Sequence, residues 1–198
     1  LPVRREASAL TSTSTAEVDW LALPEGNLSS AVEAEIRDLL VTAFPEFADF
    51  FSRSSYRGSV PEYRVLGRTA TGELVAHLEF GCRQALVGAE PIDIVGIGAV
   101  AVHPRAQGRG IGKRMFVALS QYAIRARLGD FGFLECREAV AGFYERVGFN
   151  RVRQACTSLD HESLEWETYD GPVMVMPLTK PMAEWPAVGD VNLRGMSW

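Results

Sequence analysis

The chain is poor in the residues that announce metal, redox or membrane chemistry. Its 198 residues include three cysteines, Cys82, Cys136 and Cys156. An odd count at wide spacing does not make a disulfide framework. Each reads as a small buried hydrophobe, and cytoplasmic residence is the natural expectation. The three histidines, His77, His103 and His161, are scattered without metal-ligand spacing, so no metal is expected. No apolar run approaches the roughly 20 residues of a membrane span. Residues 1–16 lack the apolar core of a secretory signal. Lys and Arg number 20 against 25 Asp and Glu, a formal net charge of −5. That argues against a nucleic-acid partner and mildly favours a cationic or neutral small substrate.

What is present is an ordinary globular balance, 47% hydrophobic and 23% charged, over a length suited to one domain. Residues 1–16, with a Ser/Thr run after Arg4-Arg5, read as a disordered leader, and 17–198 as the single domain. Ser30 and Glu33 form a capping-box pair before a helix striped by Val32, Ile36, Leu39 and Leu40. Strands are expected over 63–69, 74–85 and 92–102, helices over 110–127 and 139–147, and short strands at 132–136, from 150 and at 173–177. The acidic stretch 157–171 reads as a surface loop or an acceptor-binding lip. The tail from Pro181 to Trp198 carries two tryptophans and is expected to pack on the body.

The densest signal is Gln107-Gly108-Arg109-Gly110-Ile111-Gly112, between an apolar strand ending Val102-His103-Pro104 and a helix. Strand, glycine-rich turn and helix aim backbone N–H groups at a phosphate. The spacing is neither the dinucleotide fingerprint nor the P-loop. The turn, with Lys113 just inside the helix, resembles the pyrophosphate cradle of the GCN5-related N-acyltransferase (GNAT) superfamily. Ala139-Val140-Ala141-Gly142-Phe143-Tyr144, followed by Gly148-Phe149, is similar to a later motif of the same superfamily.

The resemblance implies an α/β (α+β) fold: a mixed, mostly antiparallel sheet flanked by helices, its central strands splayed. It implies an enzyme that moves an acyl group from acetyl-CoA to a primary amine by direct attack in a ternary complex. Gln107, Gly108, Arg109, Gly110, Gly112 and Lys113 would bind the pyrophosphate. Backbone at Val100 and Val102 would meet the acyl carbonyl and pantetheine, on a face that strand parity gives also to Gly96 and Gly98. Tyr144 would protonate the leaving thiolate; its plainer reading is a packing tyrosine.

Two branches look closest. Ser52-Arg53-Ser54, Pro61-Glu62-Tyr63-Arg64, Val75-Ala76-His77-Leu78 and Pro181 to Ala187 resemble the nodulation N-acyltransferases. Ala76-His77, Trp185, Gly189-Asp190-Val191 and Trp198 are similar to the aminoglycoside 2′-N-acetyltransferases. Both imply an amino-sugar acceptor; the first brings a longer acyl-CoA, or acyl carrier protein, into view as donor. Members of each carry a glutamate on the long strand, at positions that fall near 96 and 98, and both are glycine here. The base must therefore come from elsewhere. Candidates are His77, Glu79, Asp93, a water chain, or the main-chain carboxylate of Trp198 if that is the native end and folds into the cleft. His77 reads equally as a structural histidine, and Glu79 as an exposed strand carboxylate. The glycine pair would also widen the cleft for a longer chain lined by Phe44, Phe47, Phe50 and Phe51. A non-catalytic acyl-CoA sensor is the rival from another class. A homodimer is left open.

Overall fold

Fourteen residues of continuous strand, Leu74–Val87 (β3), form the spine of the molecule. The computed structural model describes residues 18–198; the expected leader at 1–16 lies outside them. On one edge β3 pairs antiparallel with β4 (Glu90–Val102). On the other it pairs with β2 (Tyr63–Thr69) and, at its far end, with β10 (Val191–Met196). β1 (Val18–Pro24) closes the edge beyond β2. β4 continues into β5 (Phe131–Glu135), a parallel pairing, then β9 (Val173–Pro177) and β6 (Asn150–Val152). β10 leads to β7 (Cys156–Leu159), also a parallel pairing, and β8 (Trp166–Tyr169). The result is a mixed ten-stranded sheet, mostly antiparallel, with four α-helices among the described residues.

The helices divide by face. α3 (Ile111–Ala126) buries Ile111, Met115, Phe116, Leu119 and Ala123, a helical stripe, against Ala76, Leu78 and Phe80 of β3 and Val95 and Ile97 of β4. Each such side chain removed from water stabilises the fold by about 1.5–3 kcal/mol before entropy is counted. α4 (Glu138–Arg146) joins the same core. The opposite face is covered by α1 (Ser30–Ala43), the single turn α2 (Ala48–Phe51), and the C-terminal segment.

Several sequence expectations shift. The N-cap of α1 is Ser29, whose Oγ accepts from Val32 N–H at 3.3 Å; Glu33 instead pairs with Arg37 one turn on. The acidic stretch is the hairpin β7–β8 rather than a loop. β1 and β10 were not foreseen. No helix among the described residues is long and apolar enough to cross a membrane.

Candidate active site

β4 and β5 are paired only from Ile94–Phe131 to Gly96–Phe133. Beyond Gly96 the two strands diverge, leaving the β5-facing edge of 97–102 without a ladder. The expected splay is therefore present, and it opens toward the glycine turn. Gly108 and Gly110 have φ of 73° and 71°, the left-handed region that glycine enters without a Cβ penalty. None of the backbone N–H groups from Gly108 to Lys113 donates to another described residue, as expected at a helix start. With the helix dipole they form an anion-binding end. Arg109 and Lys113 are exposed and form no salt bridge among the described residues. Arg105 is paired with Glu73. Gln107 turns back: its Nε2 donates to the Val102 carbonyl at 3.0 Å, tying the turn to the end of β4.

Gly112 has a different task from Gly108 and Gly110. A Cβ there would stand 2.7 Å from Cζ of Phe143, so the glycine lets α4 lie against the first turn of α3. The two motifs are thereby joined, and Tyr144 follows. Its ring is buried among Phe116, Phe143 and Phe149, with centroids 5.2–5.9 Å away. Burial pushes its phenol well above the usual range, with the nearby Cys136 thiol adding to it.

On β4 strand parity fails. Glu79 faces Gly98 and His77 faces Ala101, so two β4 residues stand opposite Leu78 alone. This is a β-bulge, and Ala99 takes φ 43° within it. Beyond it the faces exchange. Val100 and Val102 join Val95 and Ile97 on the α3 side, while Ala99 and Ala101 pack toward α1. The common face expected for Gly96, Gly98, Val100 and Val102 is thus split in two. The glycines look toward the α1 side, and the valines toward the α3 side.

The space left by the glycines is filled. The Trp198 indole lies on Gly96 and Gly81, so that a Cβ at Gly96 would fall inside the ring. The Trp198 carbonyl carbon is 2.5 Å from where a Gly98 Cβ would be. Arg83 holds this segment: its guanidinium sits 4.3 Å over the indole and donates to the carbonyls of Leu193 and Met196 at 3.1 and 2.7 Å. Ser59 adds its N–H to Ser197 O and its hydroxyl to Met196 O, both at 2.8 Å. The cleft widening expected of the glycine pair is not seen. Of the phenylalanines expected to line it, Phe51 is buried in the α1 core, Phe44 and Phe50 pack against that core, and Phe47 is largely exposed.

Beneath Trp198 lies a buried charged cluster. Arg64 on β2 is fully buried, and its guanidinium donates in every direction. Nε and Nη2 reach Glu25 at 2.6 and 3.0 Å, Nη1 reaches Glu79 Oε2 at 3.0 Å, and Ser55 accepts through both its carbonyl and its hydroxyl. Nη1 also meets Nε2 of His77 at 3.2 Å. A guanidinium only donates, so Nε2 accepts and the ring proton sits on Nδ1, donating to Ala99 O at 3.0 Å. His77 is therefore neutral, committed at both nitrogens, and clamps the bulge. Burial, and then the Arg64 charge, lower its pKa to about 3. Glu79 is fully buried rather than exposed. Burial raises its pKa to about 8, outweighing Arg64, with Glu25 raising it further. Its Oε1 has no hydrogen-bond partner in the described residues. The Arg57 backbone N–H lies near enough to favour the ionised form, but outside hydrogen-bond geometry.

Comparison with known proteins fits this frame. The family profile described as Nodulation protein A (NodA) matches residues 15–197. The chain belongs to the NodA family. Among curated relatives, Nodulation protein A of Methylobacterium nodulans is 28% identical, covering 90% of this chain and 89% of the relative. That of Bradyrhizobium elkanii is 28% identical over 98% and 96%. Among solved structures, the GNAT family N-acetyltransferase YhbS from Escherichia coli, in complex with CoA, superposes with a TM-score of 0.57 at 16% identity, covering 89% of this chain and 91% of its own. A GNAT family acetyltransferase from Brucella melitensis, in complex with acetyl-CoA, gives 0.51 at 21% identity over 87% and 94%. Fold and family together make the chain an acyltransferase of the GNAT superfamily.

In this NodA-family chain the main-chain carbonyl group of Trp198 stands beside Gly98 and Glu79, whereas Asp93 and Cys136 lie elsewhere. Asp93 lies toward the far end of β4, where its carboxylate accepts from Gln84. It borders an open groove of about 820 Å3 beside the C-terminal end of α3, with Ile124, Arg127 and Asp130. That groove is a helix length, about 24 Å, from the glycine turn. Cys136 is buried and its thiol is pushed up to about 11, which suits packing rather than attack. No group of three or more His, Cys, Asp or Glu among the described residues is placed to hold a metal. Sequence reading missed Arg64 and Glu25 as site residues. Arg64 was quoted only as part of a resemblance, and its isolated charge inside an apolar strand was the available signal.

Proposed function

We propose that the chain transfers an acyl group, acetyl in the first instance, from a CoA thioester to a primary amine on an amino sugar or a similarly polar small molecule. The observation that carries this reading is the junction at Gly112 and Phe143. It sets an anion-binding helix end and a buried tyrosine on one side of the splay between β4 and β5. Pyrophosphate would lie on the N–H groups of 108–113 beside Arg109 and Lys113, and the pantetheine along the free edge of β4 at Val100 and Val102. CoA brings a pyrophosphate and an acyl carrier protein does not, which favours CoA as donor. Two neighbours of the same fold were crystallised with CoA and acetyl-CoA.

The chemistry is direct attack. The amine nitrogen bonds to the thioester carbonyl carbon, the C–S bond breaks, and the thiolate takes the Tyr144 proton. Burial makes Tyr144 a weaker acid, yet the same apolar walls raise the proton affinity of the thiolate leaving beside it, so transfer stays matched. An alkylamine is protonated at neutral pH and must also surrender a proton.

Thiol release from acetyl-CoA, measured with glucosamine and other amino sugars, tests the reading. The wild-type chain is expected to release thiol only with amine present. Tyr144→Phe is expected to slow release by about 100-fold or more without changing acetyl-CoA binding. Release independent of amine, or unaltered in Tyr144→Phe, contradicts it.

A further inference from the structure

Glu79 and Gly98 are cross-strand partners on β3 and β4. A Cβ on Gly98 would lie 2.9 Å from Glu79 Oε1, so that oxygen occupies the volume into which a β4 side chain would project. The other oxygen, Oε2, is held by Arg64 Nη1 at 3.0 Å. One oxygen is clamped and the other is buried, unpartnered and turned toward the bulge. A buried polar atom without a partner is costly, so a fold that keeps one calls for an explanation. The bulge beneath it is held by His77 through Ala99 O. Arg64 is itself fixed by Glu25 and Ser55.

We infer that Glu79, carried by β3, takes the acceptor's proton where its unpartnered oxygen meets the bulge of β4. This rests on the acyltransferase reading above. The glycine of β4 leaves room for it: a Cβ at position 98 would press on both the Trp198 main chain and the Glu79 carboxylate. In the step, the acceptor N–H bond breaks, its electron pair stays on nitrogen to attack the carbonyl, and the proton goes to Oε1, leaving a neutral carboxyl group. The groups facing Glu79 are Arg64 from β2, His77 from its own strand, Glu25 from the turn after β1, Arg57 from the loop before β2, and Trp198 from the C-terminal segment. Trp198 seals Oε1 in this structure, so the acceptor reaches it by displacing the end of that segment. The raised pKa of Glu79 places proton uptake near neutral pH, where a general base is most effective.

The test separates proton removal from structural support by the acceptor's basicity. Acetyl transfer is followed by thiol release with glucosamine, an amine that is largely protonated at neutral pH, and with methoxyamine, which is already unprotonated there. Glu79→Gln keeps an oxygen for Arg64. It is expected to lose about 100-fold or more with glucosamine and to keep wild-type rates within about threefold with methoxyamine, at unchanged acetyl-CoA affinity. Glu79→Asp, which keeps the carboxylate, is expected to recover part of the glucosamine rate. Equal losses with both acceptors in both variants, or no loss with glucosamine, overturn the inference while leaving acyl transfer standing. Wild-type protein that binds acetyl-CoA but acylates neither amine overturns the acyltransferase reading and this inference with it.

Discussion

On the α3 side of β4, the groups proposed to meet the donor are backbone amides and two exposed cations, Arg109 and Lys113. On the α1 side, a buried guanidinium is hydrogen-bonded to two carboxylates, one of them beside the Trp198 main chain. The first half binds by what the backbone leaves unbonded at a helix start, and its cost to the fold is small. The second buries charge, which is expensive unless every partner is in place. Binding surfaces made of amides tolerate change, whereas a buried ionic node fails as a unit. The bulge at Ala99 lies where the two meet and turns one strand toward both.

The largest expected effect breaks the acceptor half. Arg64→Met leaves the buried Glu79 and the half-buried Glu25 without their cation and is expected to destabilise the fold by about 3–5 kcal/mol. Denaturant unfolding measures it, and a loss under about 1 kcal/mol would mean the cluster is well hydrated. Next is Gly96→Ala, which drives a methyl into the Trp198 ring. Overpacking of this kind costs about 1–3 kcal/mol. Here it should displace the indole, seen as a red shift in tryptophan fluorescence, while acetyl-CoA affinity on the donor side stays unchanged.

The smallest effect is in pH dependence. Glu79 titrates near 8 folded against an ordinary 4.5, so its contribution is fully present below about 4.5 and is lost as pH rises through about 8. His77 runs the other way. Its pKa falls from 6.5 to about 3, so its contribution is present above 6.5 and lost as pH falls toward 3. The two oppose one another between about pH 4.5 and 6.5, and above 6.5 Glu79 acts together with Glu135, which burial raises to about 7. The unfolding midpoint is expected to fall between pH 6.5 and 8 in wild type and to be flatter in Glu79→Gln. A wild-type midpoint that rises over that window would contradict the assignment.

The donor half was legible in the sequence because its demands are local. A turn needing positive φ shows as glycine at 108 and 110, and a close helix approach shows as Gly112. The helix carrying Tyr144 was legible for the same reason. The acceptor half was not, because its partners meet only in the folded sheet. Nothing near Gly96 announces that Trp198, about a hundred residues on, will lie upon it. Parity placed Val100 and Val102 with the glycines, and one inserted residue, which periodicity cannot reveal, moved them to the other face. His77 was a candidate base; the neighbour that occupies its Nε2 comes from another strand. β1, with Leu21 more than half exposed at a sheet edge, gave no clean alternation.

The central claim is that an amine held on the acceptor side attacks a thioester held on the donor side, with both bound together. Initial rates measured over a grid of acetyl-CoA and glucosamine concentrations test this most directly. Double-reciprocal lines that intersect are the predicted result. Parallel lines, with exchange of labelled CoA into acetyl-CoA in the absence of any amine, would reveal a covalent acyl-enzyme and contradict the account.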